Sequence, residues 1–311
     1  MTQSMIELTA LRNLCLVSGS EPDRPAYLSA ASGLVAVGRF LYVIADDTLH
    51  LGVFEIDTDR PGTLLRLFPG DLPDSPTERK KAKPDLEALL QLPPFAHHPH
   101  GALLALGSGS SRRRYRGVLI DLHVDGSVHG KAKIVDASPW LDELTSHLGE
   151  LNIEGGWVSG HQIHLLQRGN KGRGVNAVAS SDLASLLNSL DDDSLPAPGS
   201  LRIHQFDLGS IQGVPLCFSD ASPLASGEWL FTAVAEDTAN SRDDGAFVGA
   251  AIGLASGDHQ LRWVRTVTPS FKIEGIEVIQ DGAEPKILVV TDADDPLVPA
   301  MLLSASLKES S

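Results

Sequence analysis

Three glutamates recur in nearly the same surroundings along this 311-residue chain: Glu87 in Asp85-Leu86-Glu87-Ala88, Glu154 in Asn152-Ile153-Glu154-Gly155, and Glu274 in Lys272-Ile273-Glu274-Gly275. Carboxylates brought within a few ångströms of one another cannot all stay ionised unless a cation or an arginine compensates them. Their oxygens are also the ligands that Ca²⁺ and Mg²⁺ prefer. If the copies converge in space, Glu87, Glu154 and Glu274 are therefore candidate metal ligands, and Asp220, the acid in a weaker fourth copy, joins them. Arg112 and Arg168 could neutralise the acids or take an anionic ligand in bidentate fashion. The backbone N–H groups of 107–111, the hydroxyls of Ser32, Ser108 and Ser110, and the amide of Asn170 would complete such a ligand site.

Whether these residues meet depends on the elements that carry them. Each glutamate opens an apolar, strand-like run, and a second apolar run ending in polar residues follows it: 102–111, 162–170 and 286–295. The segments 31–45 and 215–235 follow the same plan, with Ser32 and Asp220 in the glutamate's place. The markers 32, 87, 154, 220 and 274 are separated by 55, 67, 66 and 54 residues. Self-similarity at this period is the signature of a repeat architecture. Four strand-like runs fit in each unit except the last, which holds three, and 6–17 leaves one strand over at the start of the chain. The fold expected is all-β: a single five-bladed propeller of four-stranded blades starting near 31, 85, 152, 216 and 272, closed by the N-terminal strand completing the last blade. An insertion at 181–200 carries a short helix that Asp182 could cap, and the charged stretch 71–83 reads as a solvated connector.

Radial stacking puts the start of each first strand and the end of each second strand on one face of the disc. Asp46, Asp47, Gln167 to Asn170, Glu236, Asp237, Asp292, Asp294 and Asp295 then face the same channel mouth as the repeated glutamates. Glutamates at such a mouth can equally cap backbone N–H groups, and acidic turn residues are ordinary turn chemistry. The cluster His97-His98-Pro99-His100 falls between the first and second strands of its blade, so it belongs to the opposite face and reads as a solvated loop. No Gly-x-Ser-x-Gly elbow is present, so no serine nucleophile is expected.

Bulk composition narrows the function classes. A formal charge of −15 argues against nucleic-acid binding, which wants a basic surface. No apolar run approaches the ~18 residues of a membrane helix. The first seven residues have neither a basic start nor a long apolar stretch, which predicts no secretory signal and a cytoplasmic location. Two cysteines, Cys15 and Cys217, form no metal or disulfide pattern and read as buried thiols.

The motifs Asp85-Leu86-Glu87, Asn152-Ile153-Glu154-Gly155, Ile273-Glu274-Gly275 and Gly107-Ser108-Gly109-Ser110 resemble those of uncharacterised bacterial propellers of the phytase-like group. That resemblance implies a propeller with acidic residues at its channel and, for some members, a calcium-assisted phosphoester or esterase activity. The phytases of that group look six-bladed, whereas five units are counted here. The sequence thus predicts a propeller that binds a small, anionic ligand or a divalent cation, Ca²⁺ or Mg²⁺, at its channel mouth. The alternative is a metal-dependent hydrolase of a small phosphoester or related anionic ester, although no complete catalytic constellation can be read.

Overall fold

A computed structural model describes residues 5–18, 25–170, 175–190, 195–198, 200–237, 245–280, 282 and 284–307. The chain begins with β1 (Ile6–Glu7) and β2 (Thr9–Asn13). Blade one is β3 (Ala31–Val37), β4 (Phe40–Ala45), β5 (His50–Glu55) and β6 (Thr63–Arg66). Helix α1 (Pro76–Ala82) precedes blade two, built from β7 (Leu86–Leu92), β8 (Ala102–Gly107), β9 (Arg116–Leu122) and β10 (Val128–Asp136). Helix α2 (Ser138–Leu148) leads into blade three, β11 (Ile153–Ser159), β12 (Gln162–Gln167), β13 (Asn176–Asp182) and β14 (Arg202–Phe206), with α3 (Leu183–Ser189) inserted before its last strand. Blade four is β16 (Val214–Pro223), β17 (Trp229–Asp237), β18 (Ala246–Ala255) and β19 (Leu261–Thr268), preceded by the two-residue β15 (Ser210–Ile211). Blade five supplies β20 (Ile273–Gln280), β21 (Lys286–Thr291) and β22 (Met301–Ser306).

Strand pairing closes the ring as expected. β2 runs antiparallel to β22, with Thr9 opposite Ser304 and Asn13 opposite Met301, so the chain's first segment is the fourth strand of blade five. β1 adds a second tie, pairing in parallel with β19 through Ile6–Val267 and Glu7–Thr268. The innermost strands β3, β7, β11, β16 and β20 pack on one another in cyclic order around the axis. The result is a five-bladed β-propeller.

Burial on both faces of every blade explains the apolar runs that the sequence shows. Five separate hydrophobic clusters fill the gaps between neighbouring blades. Successive side chains of one strand point to opposite faces. Leu104 of β8 accordingly enters the cluster shared with blade three, while its neighbours Leu103 and Ala105 enter the one shared with blade one. The closing segment belongs to this packing too. Ile6 and Leu8 sit between blades four and five, and Leu14 and Leu16 between blades five and one.

Two helices depart from the all-strand plan expected from sequence. α2 buries Trp140, Leu141 and Leu144 beside blades two and three, with a proline in its first turn and Gly149 (φ 77°) past its end. α1 lies within the stretch read as a solvated connector. The insertion helix α3 is capped as expected, the Asp182 carboxylate accepting from the Ser185 backbone N–H at 2.8 Å. Cys15 is exposed rather than buried, and Cys217 is partly buried. None of the described helices is long and apolar enough to cross a membrane.

Candidate functional site

Each innermost strand carries a β-bulge, and in four of the five blades the bulged residue is the repeat's marker. Glu87 is the extra residue between the pairs Leu86–Gly107 and Ala88–Leu106. Glu154 lies between Ile153–Gln167 and Gly155–Leu166, and Glu274 between Ile273–Thr291 and Gly275–Val290. Ser32 occupies the same place in blade one. A bulge removes one residue from the ladder and re-aims its side chain. Here it sets a polar group at the same height in every blade.

In blade four the bulge falls on Ser219, not Asp220, which corrects the expected repeat equivalence. Ser219 is fully buried, its hydroxyl 2.9 Å from Thr232 Oγ1 and 3.0 Å from the Ile273 carbonyl. Asp220 instead matches Gly33, Ala88, Gly155 and Gly275. Its carboxylate accepts from the backbone N–H groups of Ala221 at 2.8 Å and Ile276 at 3.1 Å. It also presses on blade three, where a Cβ added at Gly155 would lie 2.5 Å from Asp220 Oδ1. Only glycine fits there. Burial holds the Asp220 carboxyl well above the usual range, the two backbone N–H groups opposing it. Asp220 thus packs blade against blade below the mouth.

At the mouth itself the acids gather as expected, with cations among them that sequence reasoning only partly found. Arg168, 6% exposed, is the hub of one half. Its Nη1 lies 3.2 Å from Glu154 Oε2 and 4.0 Å from Glu274 Oε1, and its Nη2 donates to Glu236. Lys272 Nζ reaches Glu236 at 2.9 Å, Glu274 at 3.4 Å and Asp294 at 2.6 Å. Asn152 donates to Glu154 and, at 3.3 Å, to Asn170 Oδ1.

The other half is organised by Lys83, the residue that ends α1. It pairs with Asp46 and, at 3.1 Å, with Asp85 Oδ1. Asp85 Oδ2 also takes Arg114 Nη1 at 2.7 Å and the Ser108 hydroxyl at 2.5 Å, and Ser108 lies 2.9 Å from Ser110. Of the arginine run, it is Arg114 that turns inward. Arg112 is largely exposed, pairing with Asp142 at 2.6 Å and lying over the Tyr115 ring, away from the expected ligand set. Ser32 lies at the mouth level of blade one, within 3.3 Å of the Ala30 carbonyl.

Glu87 differs from the other two glutamates. Among the described residues no hydrogen bond or ion pair reaches its carboxylate, and burial, followed by the charges of Glu154, Asp85 and Asp46, holds its carboxyl well above the ordinary range. One oxygen from each of Asp46, Asp85 and Glu87 lies within 4.8 Å of the others. Charge is unbalanced across the mouth as a whole. Among the described residues, Asp46, Asp85, Glu87, Glu154, Glu236, Glu274, Asp292 and Asp294 face Lys83, Arg114, Arg168 and Lys272, eight acids to four cations. Burial pushes Asp292 up to about 8 and Asp46 up to about 6, with Lys272 and Lys83 respectively opposing the shift.

A model of a family described as a family of unknown function, DUF6929, matches residues 27–307, which takes in all five glutamate or serine markers. The chain belongs to this family. No curated protein matches it. Among solved structures, this DUF6929 chain is similar to the glutaminyl cyclase of Myxococcus xanthus, at 10% identity over 98% of this chain and 100% of that one, with a TM-score of 0.48. A member of the DUF4221 family from Bacteroides vulgatus matches at 11% identity over the full length of both chains, with a TM-score of 0.42. A GH43 protein mutant from Bacillus licheniformis matches at 8% identity over 91% of this chain and 54% of that one, with a TM-score of 0.44. The DUF6929 propeller itself is established by its own strand pairing.

Deeper in the channel one more acid is held by neighbouring blades. Glu277 accepts from the Ala36 backbone N–H and from the Ser222 hydroxyl, both at 3.0 Å, and burial raises it to about 7. Between the ordinary carboxyl value near 4.5 and about 7, the native state therefore keeps a proton that the unfolded chain has lost. Stability from this group is complete below that window and falls as pH rises through it. Urea unfolding of the wild type is expected to weaken by about 3 kcal/mol more than that of Glu277→Gln between pH 4.5 and 8. Equal pH slopes for the two proteins would refute the assignment.

Proposed function

We propose that the acidic mouth binds a divalent cation, Ca²⁺ or Mg²⁺, through Asp46, Asp85 and Glu87, and through it a small anionic ligand. The observation that carries this reading is the three-carboxylate cluster with Glu87 unpaired among the described residues, which at this mouth include twice as many acids as cations. The donor set fits the ion. Hard carboxylate oxygens suit Ca²⁺ and Mg²⁺, and a dication adds positive charge where Lys83 and Arg114 face three acids. Of the residues expected from sequence to ligate a metal, Glu87 is the one retained here. Glu154 and Glu274 are engaged by Arg168 and Lys272, and Asp220 by backbone N–H groups. The formal charge of −15 supports a small-molecule partner over a nucleic acid.

Calorimetric titration with Ca²⁺ and with Mg²⁺ tests the reading. Glu87→Gln and Asp46→Asn are each expected to weaken the preferred ion about tenfold or more, equivalent to ~1.4 kcal/mol, while Ser32→Ala leaves it unchanged. Wild-type affinity in Glu87→Gln would overturn the proposal.

A second reading, metal-dependent hydrolysis of a small phosphoester of the kind the phytase-like resemblance suggests, is favoured by Arg114. Its guanidinium stands 2.7 Å from Asp85 and 2.5 Å from the Ser110 hydroxyl, where it could orient a phosphoryl group against the cation. Release of p-nitrophenol from its phosphate ester, dependent on added Ca²⁺ and lost in Arg114→Met, is the result that would select it. Absence of turnover leaves binding as the function.

A further inference from the structure

On the opposite face of the disc, the outer hairpin of blade two carries two exposed imidazoles side by side, with a partly exposed carboxylate on the same face. Asp121 of β9 stands directly across from His129 of β10 in the antiparallel register. His123 lies two residues beyond Asp121, so it shares their face, while Leu122 between them turns into the core. The two imidazoles meet edge to face, with His123 Nε2 3.0 Å from His129 Nδ1. Metal–imidazole bonds of about 2.0–2.1 Å at an angle between 90° and 109° separate two cis nitrogens by about 2.9–3.3 Å. The two rings share a proton in an N–H···N hydrogen bond whose length also falls within the bite of a chelate, so a dication would take the place of that proton.

The hairpin backbone that carries the two rings is held in place. Asp125 closes the turn by accepting from the Ser127 N–H at 3.0 Å and its hydroxyl at 2.6 Å. The tip is anchored to blade one, where the buried Tyr42 donates to the Gly126 carbonyl at 2.6 Å. Directly after His129 the strand register shifts, aided by Gly130 at φ 73°, and such a bulge re-aims the side chain beside it. Asp121 is in turn held by the buried His98, whose Nδ1 lies 2.6 Å from Asp121 Oδ1 and whose ring stacks on Phe95. The histidine loop read from sequence as solvated thus supports this surface through its middle member, while His97 and His100 stay exposed.

We propose that this hairpin is a second metal site, separate from the acidic mouth, which takes a first-row transition-metal dication on His123 and His129 with Asp121 as a carboxylate neighbour. Paired imidazoles select Zn²⁺, Cu²⁺ or Ni²⁺ over the hard cations suited to the mouth. The test uses tag-free full-length protein titrated with Zn²⁺ in competition with a chromogenic zinc indicator, and with Cu²⁺ followed by electron paramagnetic resonance. Wild type should bind one Zn²⁺ that His123→Ala and His129→Ala each weaken at least tenfold, and that Glu87→Gln leaves intact. The Cu²⁺ spectrum should show nitrogen coupling that the double variant loses. Both side chains are exposed, so the variants should keep the wild-type melting temperature, which the same samples report. Equal Zn²⁺ affinity in wild type and the double variant, or a Cu²⁺ spectrum without nitrogen ligation, would overturn the proposal.

Discussion

Replacing Arg168 by leucine is expected to cost roughly 3–5 kcal/mol of stability, the usual consequence of removing one partner from a buried ion pair. Arg168 is buried, and its guanidinium touches three carboxylates, those of Glu154, Glu236 and Glu274. Lys272 would still serve Glu236 and Glu274, but among the described residues Glu154 would keep only the Asn152 amide. For a chain of this size each kcal/mol moves the melting temperature by about 2–4 °C, so a fall on the order of 10 °C should be seen. Adding Glu154→Gln to Arg168→Leu should restore part of the loss, because the second change removes the acid that the first leaves uncompensated. Thermal melts of the wild type, the two single variants and the double variant decide the matter. If the double variant is as unstable as the sum of the single ones, Arg168 and Glu154 are not coupled and the hub does not exist as described. Arg168→Lys should fall between wild type and Arg168→Leu, since a point charge cannot serve three acids with the fork of a guanidinium.

The same hub shows what could and could not be read from the residues alone. Glu87, Glu154 and Glu274 were legible as a set because a bulge demands one polar residue at the same place in each blade, and local sequence records that demand. Ser219 was not legible. It is followed by an aspartate that looks like the missing acid, and a one-residue shift in strand register leaves no trace in composition. Arg168 was found because it ends a recognisable second strand, whereas Lys83 lies at the end of a charged connector and Lys272 just before a strand. Nothing in the spacing of either lysine says that its chain bends toward the axis. Among Arg112, Arg113 and Arg114, a single 3-10 turn decides which guanidinium enters the mouth. The repeat therefore locates the site, and the chain's irregular joints decide which charges balance it.

Those joints matter less to the ring than its closure does, and closure yields the second large effect. Deleting residues 1–16 should abolish cooperative folding. The deletion strips β22 of its partner β2, and it takes Ile6, Leu8, Leu14 and Leu16 from the clusters flanking blade five. Four buried aliphatic side chains at about 2–5 kcal/mol each, if truncated, exceed the whole stability of a typical domain. A loss of contacts and a loss of closure can be separated by circular permutation. A chain begun at Pro25 and carrying residues 5–18 after Leu307 through a short flexible linker keeps every one of those side chains while making blade five continuous. Loop closure of this kind changes stability by only about 1–2 kcal/mol, so the permutant should fold and melt close to the wild type. If the permutant is as unfolded as the deletion, the first segment is needed for the order in which the ring assembles and not only for the strand it contributes. If the deletion itself folds, blade five does not depend on β2, and the closure described here carries no weight in stability.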